Sequence, residues 1–418
     1  MTIDATLLDA LRARGQLYQY TEGLPAALAR GPQRAYCGFD PTAPSLHVGN
    51  LVPVMGLRRL AMAGHPVVAL VGGGTAMIGD PSGKSSERPL LTAAMVAENA
   101  AAIGAQLRHL LGADAVSMVD NAEWLTPLGM IEFLRDVGKH FPVNQMLAKD
   151  TVKSRLETGI SFTEFSYMLL QAYDFLQLYT RHGVTLQIGG SDQWGNITAG
   201  TELIRRAVAG EAHAITFPLL TTASGKKFGK SEAGAVYLDP ARTSTYAFYQ
   251  FWINTEDADL GTLLRSFTIL PDDEIVALEA THAAAPHERA AQQVLAREVT
   301  TWVHGAAEYE RAHAASTVIF DKKADPVAIT DEVYTTLTTA VPAVVRAPDA
   351  LVVAELLEAL FAVSRGQGKT LVQQGGVTVN GLKLGAEVQS LAAGDAVRGR
   401  WFIVRKGGRD VGIVEIAR

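Results

Sequence analysis

The sequence predicts an α/β protein: a doubly wound, mostly parallel sheet, then a helical region, then a small α+β unit. Three features carry this. Over roughly the first half of the chain, short apolar runs alternate with longer helix-periodic stretches, the pattern of strands covered on both faces by helices. Near Leu238 the alternation stops, and from Thr243 to about Lys323 helical periodicity dominates with few strand signals. From about Ala350 short helices and short strands return, with Asn380-Gly381 as a tight-turn signal.

In chain order, residues 34–39 read as a strand, 47–63 as a helix and 66–71 as a continuous apolar strand. An Ala-rich helix follows at 92–111, a strand at 115–119 and helical pattern at 127–140. Residues 163–179 read as a helix, 184–188 as a strand, 192–208 as a helix and 214–220 as a strand. Ligands of such sheets sit at the carboxyl ends of the strands. The terminal unit reads as helices at 351–360 and 366–374 and strands at 377–379, 400–405 and 411–416. The mixed, poorly periodic stretch between the helical and terminal parts reads as a linker. The expected division is therefore 1–237, a helical domain at 238–323, a linker at 324–349 and a terminal domain at 350–418.

A chain of 418 residues suggests about two to four domains, and 48% hydrophobic with 19% charged residues is the composition of a folding chain. The single cysteine, Cys37, excludes an internal disulfide framework and any cysteine-rich zinc or iron–sulfur site. No run reaches the roughly 18 apolar residues of a membrane helix, so no membrane partner is expected. Met1-Thr2-Ile3-Asp4-Ala5 lacks a secretory signal, so a cytoplasmic location is expected. The net charge of −6 is unevenly spread. Residues 351–418 hold nine basic and six acidic side chains, or +3, leaving −9 for the rest. This fits a nucleic-acid-binding appendage on an acidic enzyme, and it equally fits a solvated surface.

Five motifs are candidates for chemistry. In Cys37-Gly38-Phe39-Asp40-Pro41-Thr42 and on to His47-Val48-Gly49-Asn50, a strand runs through a Pro-punctuated loop into a helix start. The free N–H groups of a helix start suit phosphate, His47 adds a hydrogen bond or charge, and Gly49 lets a flat ring lie on the backbone. Lys226-Lys227-Phe228-Gly229-Lys230-Ser231 clusters cations on a loop, which suits a polyphosphate gaining charge. Gln187-Ile188-Gly189-Gly190-Ser191-Asp192-Gln193 is a strand entering a Gly-rich turn, with Asp192 suited to a ribose hydroxyl pair. Gly79-Asp80-Pro81-Ser82-Gly83-Lys84, with Arg88 beyond, lacks Walker spacing. Finally, Tyr167, Gln171 and Asp174 share one face of an otherwise apolar helix. That stripe is either solvent-facing or the wall of a polar pocket, and the apolar surround favours the pocket.

In this order the motifs resemble the class I aminoacyl-tRNA synthetases, specifically the bacterial-type tyrosyl family, over almost the whole chain. His47-Val48-Gly49-Asn50 resembles the HIGH motif, with Asn50 at the second histidine, and Lys227-Phe228-Gly229-Lys230-Ser231 resembles KMSKS. The run from Tyr36 to Thr42, the helix carrying Glu164 to Asp174, and Gly189 to Asn196 resemble the tyrosine-specific member. Gln374-Gly375-Gly376-Val377-Thr378-Val379-Asn380-Gly381 is similar to an S4-type RNA-binding domain.

The resemblance implies a Rossmann-like catalytic domain, a helical domain and an S4-like domain. It implies attack of the tyrosine carboxylate on the α-phosphate of ATP, brought as its Mg²⁺ complex, and transfer of the tyrosyl group to tRNA(Tyr). No tightly bound cofactor or dedicated protein metal site is expected. By the same resemblance Thr42, His47, Asn50, Lys84, Arg88, Lys227 and Lys230 act on the phosphates. Cys37, Gly38, Asp40, Gly49, Gly190, Asp192 and Gln193 line the nucleotide. Asp80, Tyr167 and Gln171 hold the tyrosine ammonium; Tyr36 and Asp174 reach the phenol, with Asn121 and Gln187 nearby. Arg365, Lys369, Arg398, Arg400, Arg405, Lys406 and Arg409 are the expected RNA contacts. A homodimer is implied, with residues 127–143, including Phe133, Leu134 and Phe141, as the interface candidate; a core-packed helix is the other reading.

Three rivals are weaker. A tryptophanyl enzyme would meet an indole that donates but does not accept, whereas Tyr36 with Asp174 offers both a donor and an acceptor. A non-catalytic RNA-binding relative sits poorly with His47 and the lysine pair. An NAD-binding enzyme would need a Gly-x-Gly-x-x-Gly turn, with an acidic residue about 20 positions on, that the chain lacks.

Overall fold

The computed structural model describes residues 3–82, 90–149, 152–153, 155, 159–225, 228–231, 234–321, 324–408 and 410–417. Its contacts divide the chain into two units, Met1–Asp239 with Thr255–Leu295, and Pro240–Asn254 with Ala296–Arg418.

The first unit is built on a six-stranded sheet. Its strands are β1 (Gln19–Tyr20), β2 (Ala35–Phe39), β3 (Val67–Val71), β4 (Val116–Asp120), β5 (Leu186–Gly190) and β6 (His213–Phe217), in the order β1-β6-β5-β2-β3-β4. All neighbours are parallel except the short edge strand β1, which runs antiparallel to β6. β3 and β6 are buried along their whole length, as expected of apolar strands covered on both faces. The sheet is wound outward from β2 in one direction and from β5 in the other. The switch point therefore lies between β2 and β5, and a crevice opens beyond their carboxyl ends. Tyr36 on β2 pairs in register with Gln187 on β5.

Helices α1 (Ile3–Ala13), α2 (Leu24–Arg30), α3 (Leu51–Met62), α4 (Ala93–Leu111), α5 (Ala122–Leu125), α6 (Met130–Asp136), α7 (Val143–Leu147), α8 (Phe162–His182) and α9 (Trp194–Val208) surround this sheet. The helix expected from residue 47 begins instead with a 3₁₀ turn at Val48–Asn50, and α9 is likewise preceded by one at Ser191–Gln193. α8 starts at a true cap, where the Ser161 hydroxyl accepts the Glu164 N–H, and stops at Gly183 in the left-handed conformation. In its first turn Glu164 forms a buried ion pair with Arg155 at 2.9 Å.

Beyond residue 238 the helices are α10 (Thr245–Ile253), α11 (Asp257–Phe267), α12 (Asp272–Ala284), α13 (Ala290–His304) and α14 (Ala306–Phe320). The helical reading of 238–323 holds, but this stretch is divided. α11 and α12 belong to the first unit, α10 and α14 to the second, and the break falls within α13. α11 buries Leu260, Leu263, Leu264 and Phe267, the spacing of one helix face. It is tied to α3 by Arg59, whose guanidinium donates to Arg265 O at 2.6 Å and Thr268 O at 2.8 Å.

The linker expected at 324–349 needs correcting. It carries α15 (Asp331–Ala340) and β9 (Ala343–Arg346), and β9 pairs in parallel with β13 (Asp410–Ile416). Val333, Tyr334 and Leu337 share a core with Trp401, Ile403, Val411 and Ile413. β9 alternates exposed and half-buried residues over only four positions, too short a pattern to read in sequence. The terminal sheet runs β11-β10-β12-β13-β9, with β10 (Val377–Val379), β11 (Leu382–Lys383) and β12 (Trp401–Lys406). Helices α16 (Val353–Phe361) and α17 (Arg365–Gln373) belong to the same unit. Asn380 and Gly381 both have positive φ, +48° and +79°, giving the expected two-residue turn between β10 and β11.

Arg405 is also corrected. It was expected on RNA, yet it is only 8% exposed. Its guanidinium donates to Val318 O, to Ile319 O at 3.0 Å and to Asp321 O at 3.3 Å, capping the end of α14. The last carbonyls of a helix lack the intrahelical donors of its interior, and a cation there complements the helix dipole. Arg405→Ala is therefore expected to cost about 2–3 kcal/mol of stability. Thermal denaturation together with the salt dependence of RNA binding checks this: melting should fall while the salt slope stays unchanged.

Candidate active site

The crevice at the switch point has an apolar floor and two orphaned polar atoms. Tyr36 is 1% exposed, and its ring lies 5.1 Å from that of Phe175. The Tyr36 hydroxyl and Gln187 Oε1 are both buried with no hydrogen-bond partner among the described residues. Burying a polar atom unpaired is costly, and these two belong to register partners on the two strands that flank the switch point. Asp174 on α8 is 2% exposed and accepts from Asn121 Nδ2 at 2.9 Å and from Trp124 Nε1 at 2.7 Å. Burial pushes its carboxyl up to about 8, against the pull of those two hydrogen bonds. Burial, then Asp174 and Cys37, raises the Tyr36 hydroxyl well above the usual tyrosine range. The Cys37 thiol is buried and is pushed up to about 12.

A pH dependence follows. An aspartate in the unfolded chain titrates near ~3.9, whereas Asp174 folded titrates near about 8. Its protonated form favours the fold fully below the lower value, and that contribution is lost as pH rises through the upper one. The stability of the wild type relative to Asp174→Asn should therefore decline between about pH 4 and pH 8. Paired thermal melts across that range check it; a constant gap would contradict it.

Two polar networks extend from this pocket. In one, Asn121 Nδ2 also donates to Thr75 Oγ1 at 2.9 Å while Asn121 Oδ1 accepts the Gly74 N–H at 2.7 Å. Thr75 Oγ1 donates to Asp40 at 2.7 Å, and the Tyr167 hydroxyl donates to the other Asp40 oxygen at 2.8 Å. In the second, Gln193 Nε2 donates to Asp80 at 2.6 Å, Gln171 Nε2 donates to Gln193 Oε1 at 3.3 Å, and Asn196 Nδ2 donates to Gln171 Oε1 at 3.1 Å. Asp80 and Gln171, expected together on the ammonium, thus meet through Gln193, which is expected on the nucleotide, whereas Tyr167, the third of the ammonium group, donates to Asp40. Thr75, Trp124 and Asn196 were missed. Each acts on another side chain, and only the Gly72-Gly73-Gly74 run beside Thr75 and the Gly-rich turn that leads into the helix of Asn196 offered a local cue.

The first motif makes a reciprocal cap. His47 Nδ1 accepts the Gly49 N–H at 3.0 Å, and Asn50 Oδ1 accepts the His47 N–H at 3.0 Å. The first bond leaves the His47 proton on Nε2, on an exposed side chain. The second gives Asn50 a structural task that an amide oxygen performs without charge. A Cβ at Gly49 would stand 2.8 Å from the His47 ring. Thr42 is half-buried, and its N–H donates to Asp40 O at 2.8 Å. Gly38 lies on β2, and Gly190 ends β5 so close to Asp192 that a Cβ would meet Asp192 Oδ1 at 2.6 Å.

The lysine motif lies against the first. Its hairpin joins β7 (Lys230–Ser231) to β8 (Gly234–Ala235), and Val48 N–H donates to Val236 O at 3.0 Å. Gly229, with φ of +91°, packs so near that a Cβ would meet Val48 at 3.0 Å and Gly49 N at 3.3 Å. Lys84, Arg88, Lys227 and Arg409 lie outside the described residues, as does the side chain of Lys230.

In the terminal unit Arg365 pairs with Glu355 and Glu358, both at 2.9 Å. Arg398 pairs with Asp331 at 3.1 Å, and Lys406 with Asp410 at 2.8 Å. Arg400 pairs with Glu415 and lies 4.4 Å over the Trp401 ring. Lys369 is exposed on α17.

A family profile described as tRNA synthetases class I (W and Y) matches residues 28–321, and a tyrosine--tRNA ligase SYY-like C-terminal domain profile matches 333–413. The chain is 49% identical to a tyrosine--tRNA ligase of Anaeromyxobacter dehalogenans, over 98% of this chain and 99% of that one. It is 48% identical to the corresponding ligase of Opitutus terrae, over 98% and 100%. Its fold matches a C-terminally truncated mitochondrial tyrosyl-tRNA synthetase of Aspergillus nidulans with a TM-score of 0.68 and 32% identity, covering 75% of this chain and 94% of that one. Near-half identity over almost the full length goes far beyond a shared fold: the chain belongs to the tyrosine–tRNA ligase family of class I tRNA synthetases.

Proposed function

We propose that the crevice at the β2/β5 switch point activates L-tyrosine with MgATP and passes the tyrosyl group to the 3′ end of tRNA(Tyr), with the following division of labour. The substrate phenol donates to Asp174 and accepts from the Tyr36 hydroxyl. Asp80, with Gln171 and Tyr167 beside it, takes the ammonium. Asp192, Cys37, Gly49 and Gly190 line the nucleotide. A carboxylate oxygen of tyrosine attacks the α-phosphorus, the bond from that phosphorus to the bridging oxygen breaks, and pyrophosphate leaves with the electron pair. His47 Nε2–H, Thr42 and the cations Lys84, Arg88, Lys227 and Lys230 stabilise the charge that develops on the phosphates. Such a reaction requires positioning and electrostatics more than covalent help.

The observation that carries this reading is the buried, unpartnered Tyr36 hydroxyl in the pocket of Asp174, a donor and acceptor matched to a phenol. Charging of tRNA(Tyr) with labelled tyrosine tests it. The reading predicts aminoacylation that requires ATP and Mg²⁺, and it fails if no tyrosyl-tRNA forms.

The terminal unit serves as an S4-like RNA arm. Arg365, Lys369, Arg398, Arg400, Lys406 and Arg409 meet tRNA phosphates, at the expense of the internal pairs that four of them make. The enzyme works as a cytoplasmic homodimer. Among the described residues no helix is long and apolar enough to cross a membrane. Support for the dimer comes from Met130, Ile131 and Val143, which are 73%, 74% and 61% exposed within the expected interface. Of the residues first expected there, Leu134 is exposed, while Phe133 and Phe141 pack against a core of their own unit.

A further inference from the structure

Residues on either side of Lys226-Lys227 are fixed to α11. On one side the Ala223 N–H donates to Asp259 Oδ1 at 2.7 Å, in the first turn of α11. On the other, the Phe228 ring stacks on Phe267, the last residue of α11, at 5.5 Å and 27°. Eight residues of helix rise about 12 Å, and the five steps from Ala223 to Phe228 reach at most about 17 Å, so one helix can meet both anchors. The loop also closes on itself, with Phe228 N–H donating to Leu220 O at 3.1 Å and Gly225 N–H to Thr222 O at 2.8 Å.

α11 is in turn a fixed body relative to the nucleotide motif. Arg59, in the last turn of α3, holds Arg265 O and Thr268 O, and Arg14 adds a bond to Leu270 O at 2.6 Å. α3 begins immediately after His47-Val48-Gly49-Asn50. One chain of contacts therefore runs from the cap at His47 through α3 and α11 to Phe228, which lies between Lys227 and Gly229 in the lysine motif.

We propose that α11 is the dock that aims the lysine loop at the phosphates, with Phe267 and Asp259 as positioning residues for adenylate formation. Neither residue needs to touch substrate. Phe267 acts through Phe228, and Asp259 through the Ala223 main chain. This rests on the reading that Lys227 and Lys230 act on the phosphates.

Rapid-quench measurement of tyrosyl-adenylate formation tests the dock, alongside equilibrium tyrosine binding, in Phe267→Ala, Phe228→Ala, the double variant and Lys230→Ala. Misaiming by an ångström or so predicts a loss of roughly 10- to 100-fold in the chemical step, with tyrosine Kd within about twofold of wild type. The double variant should be no slower than the slower single one, because both changes break one contact. Phe267→Leu, which keeps an apolar surface, should recover most of the rate. If Lys230→Ala is slow but Phe267→Ala keeps the wild-type rate, the dock is wrong and the lysine reading stands. If Lys230→Ala is itself unimpaired, the lysine reading falls and the dock with it. Should Phe267→Ala not fold, Asp259 decides. Asp259→Ala should slow the step while Asp259→Asn, whose amide oxygen still accepts the Ala223 N–H, should not. Equal wild-type rates in both would overturn the proposal.

Discussion

Lys230→Ala is expected to slow adenylate formation by about 10²–10³-fold, the cost of removing one preorganised group from a developing charge, while tyrosine affinity stays near wild type. Lys230 belongs to a hairpin packed on the nucleotide motif through Gly229 and Val236. A cation that meets the leaving pyrophosphate only as charge accumulates acts on the transition state, so kcat and kcat/KM should fall together. Lys227→Ala should behave alike. Asn50→Ala should be milder, because its oxygen closes a neutral cap at His47. Single-turnover kinetics with tyrosine titrations separate the two effects; a large rise in tyrosine Kd with an unaltered chemical step would remove Lys230 from this role.

Asp174→Ala should destroy the choice of tyrosine over phenylalanine. Asp174 is held from two sides by Asn121 and Trp124, so it cannot swing away when the substrate lacks a hydroxyl. Phenylalanine would leave the Tyr36 hydroxyl as unpaired as it is in the free protein, whereas the phenol of tyrosine offsets the cost of its burial. That desolvation penalty is the source of discrimination. Tyrosine–tRNA ligases are themselves the standard illustration, with about 10⁵-fold rejection of phenylalanine and no editing step; that magnitude belongs to the family and is not a consequence of these distances. The ratio of kcat/KM for the two amino acids should collapse in Asp174→Ala, chiefly through loss of tyrosine activity. An unchanged ratio would mean that another group reads the phenol.

Much of the site was legible because its residues sit at strand ends and along one helix face. Tyr36, Gln187 and Gly190 lie on parallel strands whose apolar runs mark them, and Tyr167, Gln171 and Asp174 recur at helical spacing on α8. Side chains that act on other side chains were not legible. Trp124 reaches Asp174 from another element, Thr75 bridges Asn121 to Asp40, and Asn196 sits among Gln171, Gln193 and Asp80. No local pattern encodes such contacts. Short edge strands escaped for the same reason. β1 and β9 have two and four residues, and both exist only because β6 and β13 offer them a partner. Arg405 shows the converse error: a basic residue in a basic unit read as a phosphate contact, although tertiary packing uses it to cap a helix.

The central claim is that the pocket at the β2/β5 switch point selects tyrosine and activates it with ATP. Amino-acid-dependent ATP–pyrophosphate exchange by the full chain tests this most directly, with tyrosine, phenylalanine and tryptophan offered separately in the absence of tRNA. Rapid exchange with tyrosine, and at most trace exchange with the other two, is the result predicted. Exchange driven by tryptophan as well as by tyrosine, or absent with tyrosine, would contradict it.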